Sequence, residues 1–385
     1  MSISEPPVRA GETAETVVET VDTVESVAVP PRRFLGLEAK HWRRIALSVW
    51  FVAVVYKVST DGISFDRGGL ILLMCLGLAA ASIGRRNVFT VILDWLPFVL
   101  VLMLYDFVRR YAEWLGMPTQ WHLGPDVDKW LFGTNPTVWL QSHLKEAKPP
   151  FWEIITSSVY ISYFLLPYIT AGLLWLRDRT AWRRFAAAFV ATSFLALIGF
   201  TLLPAAPPWA AARCTSVEIA DGPREAPCMF GNPPPSGGLL GPVEPTHAGA
   251  APFVERISAR GWDKLGFKTA SSMLQVGQSK ANLVAAIPSL HAGLTMLVAL
   301  FMWPRLRWYG RTAFMAYAFT MAFTLVYTAE HYVLDILIGW ALAASVIATQ
   351  RWWVRRNDRR REAAEAAESA QTPAVDLGKR VAVSD

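Results

Sequence analysis

Two short segments of this chain carry side chains able to move protons and to attack phosphorus. Glu330-His331-Tyr332-Val333-Leu334-Asp335 sets a histidine and an aspartate four residues apart, and Ile287-Pro288-Ser289-Leu290-His291-Ala292-Gly293 carries a second histidine forty residues upstream. On a helix, residues at i and i+4 share a face. The Asp335 carboxylate can then accept a hydrogen bond from one imidazole nitrogen of His331, leaving the other as nucleophile or base. In a phosphoryl transfer, His331 is the attacking nucleophile, Asp335 its orienter and His291 the acid that protonates the departing oxygen, with a covalent phosphohistidine between the two half-reactions. An isolated His–Asp pair is as often a structural hydrogen bond that satisfies two polar groups in an apolar setting. A second histidine at the same depth, preceded by Pro and Ser, favours chemistry, because ionisable groups in spans are costly and usually functional. Neither H-E-x-x-H nor a comparable cluster occurs, so no metal and no cofactor are expected.

The elements that must position these residues are apolar. The chain has 385 residues, 53% of them hydrophobic and 12% aromatic, too apolar for one soluble domain of ordinary composition. About eight stretches approach the roughly 20 apolar residues that a bilayer requires: 43–58, 68–84, 88–108, 151–176, 182–204, 284–303, 311–329 and 332–350. Basic clusters lie at Arg32-Arg33 with Lys40 and Arg43-Arg44, at Arg85-Arg86, at Arg177 to Arg184, at Arg305 to Arg311 and at Arg351 to Arg361. If every stretch crosses, all of them fall on one side, which retention of Lys and Arg marks as cytoplasmic. Both termini are then cytoplasmic, and both histidines lie at the external face. The net charge of +6 is concentrated in these short runs, so nucleic acid is not an expected partner; anionic lipid headgroups are.

Residues 1–34 read as a disordered tail without a cleaved signal peptide. Residues 35–87 hold two N-terminal transmembrane helices, and 88–350 hold a catalytic membrane domain with external loops 109–150 and 205–283. Residues 351–385 form a basic, then polar, cytoplasmic tail. Loop 109–150 carries Trp121, Trp130 and Trp139 and belongs along the interface. Loop 205–283 starts irregularly, rich in Pro and Gly, with helical potential over about 252–275. Cys75 lies in a span, while Cys214 and Cys228 share the long loop and could pair if it faces an oxidising compartment.

P-S-L-H followed forty residues later by H-Y-x-x-D resembles the type 2 phosphatidic acid phosphatase superfamily, specifically its inositol phosphorylceramide synthase-like (inositolphosphotransferase) branch in bacteria. Leu203-Pro204-Ala205-Ala206-Pro207-Pro208-Trp209 and Tyr105-Asp106-Phe107-Val108-Arg109 extend the likeness over about residues 90–350. The resemblance implies an all-α polytopic bundle with a six-helix phosphatase-like core. It also implies metal-free chemistry by the two histidines and the aspartate on lipid phosphates or phosphodiesters, and a role for Ser289 in holding the phosphate.

Two features of the wider superfamily are missing: K-x6-R-P, and an Arg six residues before the nucleophilic His, where this chain has Leu325. The transition state still needs cations. Arg109 is the first candidate, followed by Arg110, Arg213 and Lys280, each of which also reads as a side chain snorkelling to headgroups. Glu330 either tunes His331, contacts an acceptor hydroxyl or is a solvated loop charge. Pro204, Pro207, Pro208 and Trp209 shape the pocket mouth, and Tyr160 and Tyr163 are packing residues. The expected function is therefore a membrane phosphotransferase moving a lipid-linked phosphate to a polyol, sugar or lipid hydroxyl. A lipid phosphate or polyprenyl pyrophosphate phosphatase is the alternative. A transporter or structural membrane protein, in which His291, His331 and Asp335 relay protons or brace the bundle, is the contrasting class.

Overall fold

The computed structural model describes residues 33–34, 37–61, 67–85, 87–244, 246–247, 254–265 and 283–371. Its helices are α1 (Ala39–Asp61), α2 (Arg67–Ser82), α3 (Val88–Trp114), α4 (Leu123–Phe132), α5 (Pro136–Leu144), α6 (Glu153–Ser162), α7 (Leu166–Arg177), α8 (Arg179–Leu202), α9 (Pro208–Ala211), α10 (Arg260–Lys264), α11 (Leu290–Met302), α12 (Trp308–Tyr327) and α13 (Val333–Gln371). Beside them stands a two-residue ladder, Arg33–Phe34 against Leu37–Glu38. The all-α expectation holds. Among the described residues, α8 and Val333–Ala367 of α13 are long and apolar enough to cross a membrane. The α6–α7 pair, bent by 52°, makes a third candidate if taken as one span.

The bend has a local cause. Pro167, in the first turn of α7, has no N–H with which to continue the ladder of α6. The chain between closes instead with Phe164 N–H on Ile161 C=O and Leu165 N–H on Ser162 C=O, both at 3.0 Å. The start of α8 is equally local: the Asp178 carboxylate accepts from the amides of Thr180 and Ala181 at 3.0 and 2.9 Å, which a helix leaves without internal partners. Large apolar side chains stay exposed along α1, α3 and α8, among them Phe51, Val52, Phe89, Leu93, Ile198 and Leu202. That pattern suits helices covered by lipid.

The stretch 284–303 is not helical throughout. α11 has 13 residues, about 20 Å at the helical rise, short of a hydrocarbon layer of about 30 Å. Pro288 biases Ile287 away from the helical region, and Ser289 caps α11, its hydroxyl accepting from Ala292 N–H at 3.3 Å. Val284 lies in a turn and Ala285 in an isolated bridge instead: Ala285 bridges to Ala205, and Ala205 to Gln120. The bonds are Ala205 N–H to Val284 C=O at 2.7 Å and Gln120 N–H to Pro204 C=O at 2.8 Å. Over 252–275, the described residues contain only the five-residue α10. Residues 351–371 of the C-terminal tail continue α13, while 1–32, 62–66 and 372–385 lie outside the described residues.

α11 is buried almost all round and packs on α7, α8, α12 and α13, as a helix without a polar face must. Trp95 of α3 and Trp182 of α8, with ring centroids 5.2 Å apart, tie the flanking helices together. A second, smaller core sits at the end of the bundle where α11 starts. It holds Trp121, Trp209, Met229, Val254, Val284 and Ala329 and is laced by a Cys214–Cys228 disulfide.

α11 and α13 meet at Gly339, where an added Cβ would overlap the carbonyl oxygen of Ser289. We expect Gly339→Ala to cost about 1–3 kcal/mol of stability through overpacking against backbone, seen as a lowered thermal midpoint in detergent with reduced turnover. An unchanged midpoint would mean that the two helices separate without penalty.

Candidate active site

The last turn of α12 closes with Thr328 N–H on Thr324 C=O at 2.9 Å. Ala329 then reverses the chain at φ 62°, a left-handed conformation uncommon for a residue with a Cβ. The amides of Glu330 and His331 both return to the Leu325 carbonyl, at 2.9 and 3.2 Å. Because α13 begins only at Val333, His331 precedes the helix rather than sharing a helical face with Asp335. The contact forms all the same: His331 Nδ1 lies 3.3 Å from Asp335 Oδ2. That oxygen also accepts the Tyr332 amide at 2.9 Å, so one carboxylate caps α13 and orients the imidazole. Asp335 is fully buried and His331 is 6% exposed.

His291, in the first turn of α11, stands across from this turn, its ring centroid 5.6 Å from that of His331. Two rings from the α6–α7 bend pack on it, Tyr163 at 4.0 Å and Tyr160 at 5.1 Å. Ser289 is buried, and its amide donates to the Asp335 carbonyl at 2.9 Å. The fold thus brings Ser289, His291, His331 and Asp335 to one place.

Of the cations named from the sequence, Arg213 donates from Nη1 to the Met229 carbonyl at 2.8 Å and lies over the Trp209 ring at 5.6 Å. Burial, and then the charge of Arg256, lower its pKa. The side chains of Arg109 and Arg110, and the whole of Lys280, lie outside the described residues. Arg256 belongs to no motif, yet it joins the site. Its Nε and Nη2 donate to the two carboxylate oxygens of Glu330 at 2.8 and 2.7 Å, and its guanidinium covers Trp209 at 5.0 Å. Ser258 Oγ donates to the same carboxylate at 2.6 Å. Glu330 is therefore no solvated loop charge. The only signal for Arg256 in the sequence was that a buried carboxylate requires a cation; a separation of 74 residues concealed which one.

The sequence profile of the PAP2 superfamily matches residues 126–349, more than half of the chain and inclusive of both chemical segments. The chain belongs to the PAP2 superfamily. It is similar to the phosphoinositol dihydroceramide synthase of Bacteroides thetaiotaomicron, 24% identical over 251 residues that cover 63% of this chain and 71% of that protein. No solved structure matches. As a synthase-like PAP2 member, the protein is a membrane enzyme of the lipid phosphatase and phosphotransferase class.

In this PAP2 chain the start of α13 is also held from outside the bundle. The buried carboxylate of Asp128, on α4, accepts the amides of Val333 and Leu334 at 2.9 and 3.1 Å. Burial pushes its pKa from 3.8 up to about 6, opposed by those two hydrogen bonds and assisted by the charge of Asp335. A raised folded-state pKa means that the unfolded chain releases this proton first as pH rises. The stability Asp128 contributes is therefore complete below pH 3.8 and declines until pH passes about 6. Thermal midpoints measured from pH 4 to 7 should decline more steeply for the wild type than for Asp128→Asn. Parallel profiles would mean that this carboxyl titrates alike in both states.

Proposed function

We propose that this protein transfers a phosphoryl group, or a phosphate-bearing head group, from a lipid donor to a hydroxyl acceptor through a phosphohistidine on His331. The observation that carries this reading is the His331–Asp335 pair set across from His291 in a chain of the PAP2 superfamily. With Nδ1–H directed at Asp335, the Nε2 lone pair is the nucleophile. Its attack forms the N–P bond and breaks the P–O bond to the leaving group, whose oxygen takes a proton from His291. His291, now neutral, accepts the proton of the incoming hydroxyl as its oxygen attacks phosphorus and releases His331. Ser289 and Arg213, with Arg109 and Lys280 as further candidates, hold the phosphoryl oxygens on which charge gathers, and the scheme runs without a metal.

The name of the Bacteroides relative describes the making of a lipid with a phosphoinositol head, which favours transfer over hydrolysis. Were water the acceptor, the same residues would make a lipid phosphate or polyprenyl pyrophosphate phosphatase. A transporter's proton relay would string the groups across the bilayer, whereas here they gather at one end of the bundle.

The proposed topology has eight crossings, by α1, α2, α3, the α6–α7 pair, α8, the whole stretch 284–303 with α11 inside it, α12 and α13. Residues 35–87 precede the catalytic unit 88–350, and both termini are cytoplasmic. Alternation of the basic clusters supports it, and the Cys214–Cys228 disulfide suits a site facing an oxidising exterior.

The test uses purified protein with a panel of lipid phosphates, lipid pyrophosphates and inositol- or glycerol-bearing phospholipids, following free phosphate and new lipids by mass spectrometry. A new phosphodiester lipid is the expected product. His331→Ala should abolish it, while His291→Ala and Asp335→Asn should each lower turnover by about 10²- to 10⁴-fold. Undiminished turnover in folded His331→Ala would end the phosphohistidine reading.

A further inference from the structure

Phosphoryl transfer to and from a histidine concentrates negative charge on phosphoryl oxygens, and a site that accelerates it must hold cations there in advance. The superfamily's arginine six residues before the nucleophile is Leu325 in this chain, a fully buried core residue. Within the described part of the site, two guanidiniums flank one ring: Arg213 at 5.6 Å and Arg256 at 5.0 Å from the Trp209 centroid. Trp209 is itself fastened to the turn before His331, its amide donating to the Ala329 carbonyl at 3.1 Å. Glu330 offsets one of these two like charges, and the other leaves a local demand for an anion.

Arg256 is the better placed of the two. Glu330, the residue before His331, takes its Nε–H and one Nη2–H in a side-on fork, at 2.8 and 2.7 Å. A planar guanidinium has five N–H donors, so the carboxylate fixes the plane and uses only one edge. Arg256 also interacts with Tyr160, whose ring stacks on His291 at 5.1 Å. Arg256 therefore bridges the neighbours of both histidines. The remaining donors lie off that edge, and phosphoryl oxygens are suitable acceptors for them. Glu330, with both oxygens engaged by Arg256 and one also by Ser258, is unsuited to act as a base.

We infer that Arg256 binds the transferring phosphate in place of the arginine absent at position 325, and that Glu330 is its positioning residue. The inference rests on the proposed action upon a lipid phosphate. Its neighbours support the placement: Ile257 N–H donates to the Thr328 carbonyl at 3.3 Å, and Glu255 N–H to Gln141 Oε1 at 2.9 Å. The segment that carries Arg256 is thereby pinned on both sides of it.

The experiment uses full-length protein in detergent and two readouts, affinity for orthovanadate by calorimetry and turnover on the lipid panel. Arg256→Gln should weaken vanadate binding by about 10- to 100-fold and cut turnover at least as far, with Arg256→Lys intermediate. Glu330→Gln should raise KM more than it lowers kcat. Arg256→Gln leaves Glu330 buried without its cation and can fail to fold, so the double variant Arg256→Gln/Glu330→Gln, in which two amides replace the ion pair, is the decisive one. If it folds but still fails to bind vanadate, Arg256 contacts the phosphate. If it regains wild-type affinity and turnover, the pair is structural and the inference falls. Should the wild type turn over no lipid phosphate, Arg256-dependent vanadate binding would uphold this assignment while the functional reading failed. Arg256-independent binding alongside His331-dependent turnover would do the reverse.

Discussion

The amide of Ser289 donates to the carbonyl of Asp335 at 2.9 Å, a bond between the start of α11 and the start of α13 that sets the spacing of everything else in the site. It forms because Gly339 has no side chain to hold the helices apart, and because Gly293 faces it on the other helix, where an added Cβ would lie 3.1 Å from the Gly339 carbonyl oxygen. Two helices crossing this tightly present two N-termini side by side, each with amides that helical bonding leaves over. Ser289 caps one and Asp335 the other. His291 and His331 stand next to those caps, so the distance between the imidazoles is a consequence of backbone packing rather than of side-chain choice. Anions are favoured where helix N-termini converge, and this is where the proposed chemistry takes place.

Outside the bundle, a second layer prevents the turn at 328–332 from drifting. Asp128 clasps the first amides of α13 from α4. Gln141 Nε2 donates to the carbonyls of Glu255 and Tyr327, both at 2.8 Å, and the Tyr327 hydroxyl donates to Glu153 at 2.7 Å. Lys145 reaches Glu255 at 2.6 Å. Apart from Glu255, whose side chain is 41% exposed, these are charged and polar groups withdrawn from water, where each partner is costly to lose. They join loop 109–150, the 254–258 segment and the end of α12 into one body. The described parts of the long loops are therefore structural parts of the site, and the apolar cluster laced by the disulfide shares Trp121, Val254 and Ala329 with that body.

How much of this the sequence shows depends on range. His331 with Asp335, and Pro288 with Ser289 and His291, are local patterns, and each is visible as a run of residues with a chemical meaning. Even there, His331 meets Asp335 by a route other than a shared helical face: Ala329 turns the chain before the helix begins, and Asp335 reaches back as a cap. The start of α11 escapes a reading by hydropathy alone, which registers neither Pro288 nor the pairing of 284–286 with Ala205. Asp128 and Arg256 were invisible for a different reason. Each acts on a residue far along the chain, and neither sits in a pattern of its own.

Glu330 is the residue that looks least suited to its setting, a carboxylate beside the proposed nucleophile for an anionic substrate. An arginine at position 325, in the last turn of α12, would take its direction from the helix and would need no such neighbour. An arginine arriving from 74 residues away on an irregular segment has no such guidance, and its long side chain would otherwise sample many rotamers. A bidentate carboxylate removes that freedom while using one edge of the guanidinium. The repulsion Glu330 exerts on a phosphate is then the cost of holding Arg256 in register. A nearby second cation, Arg213, keeps the balance of charge around Trp209 positive.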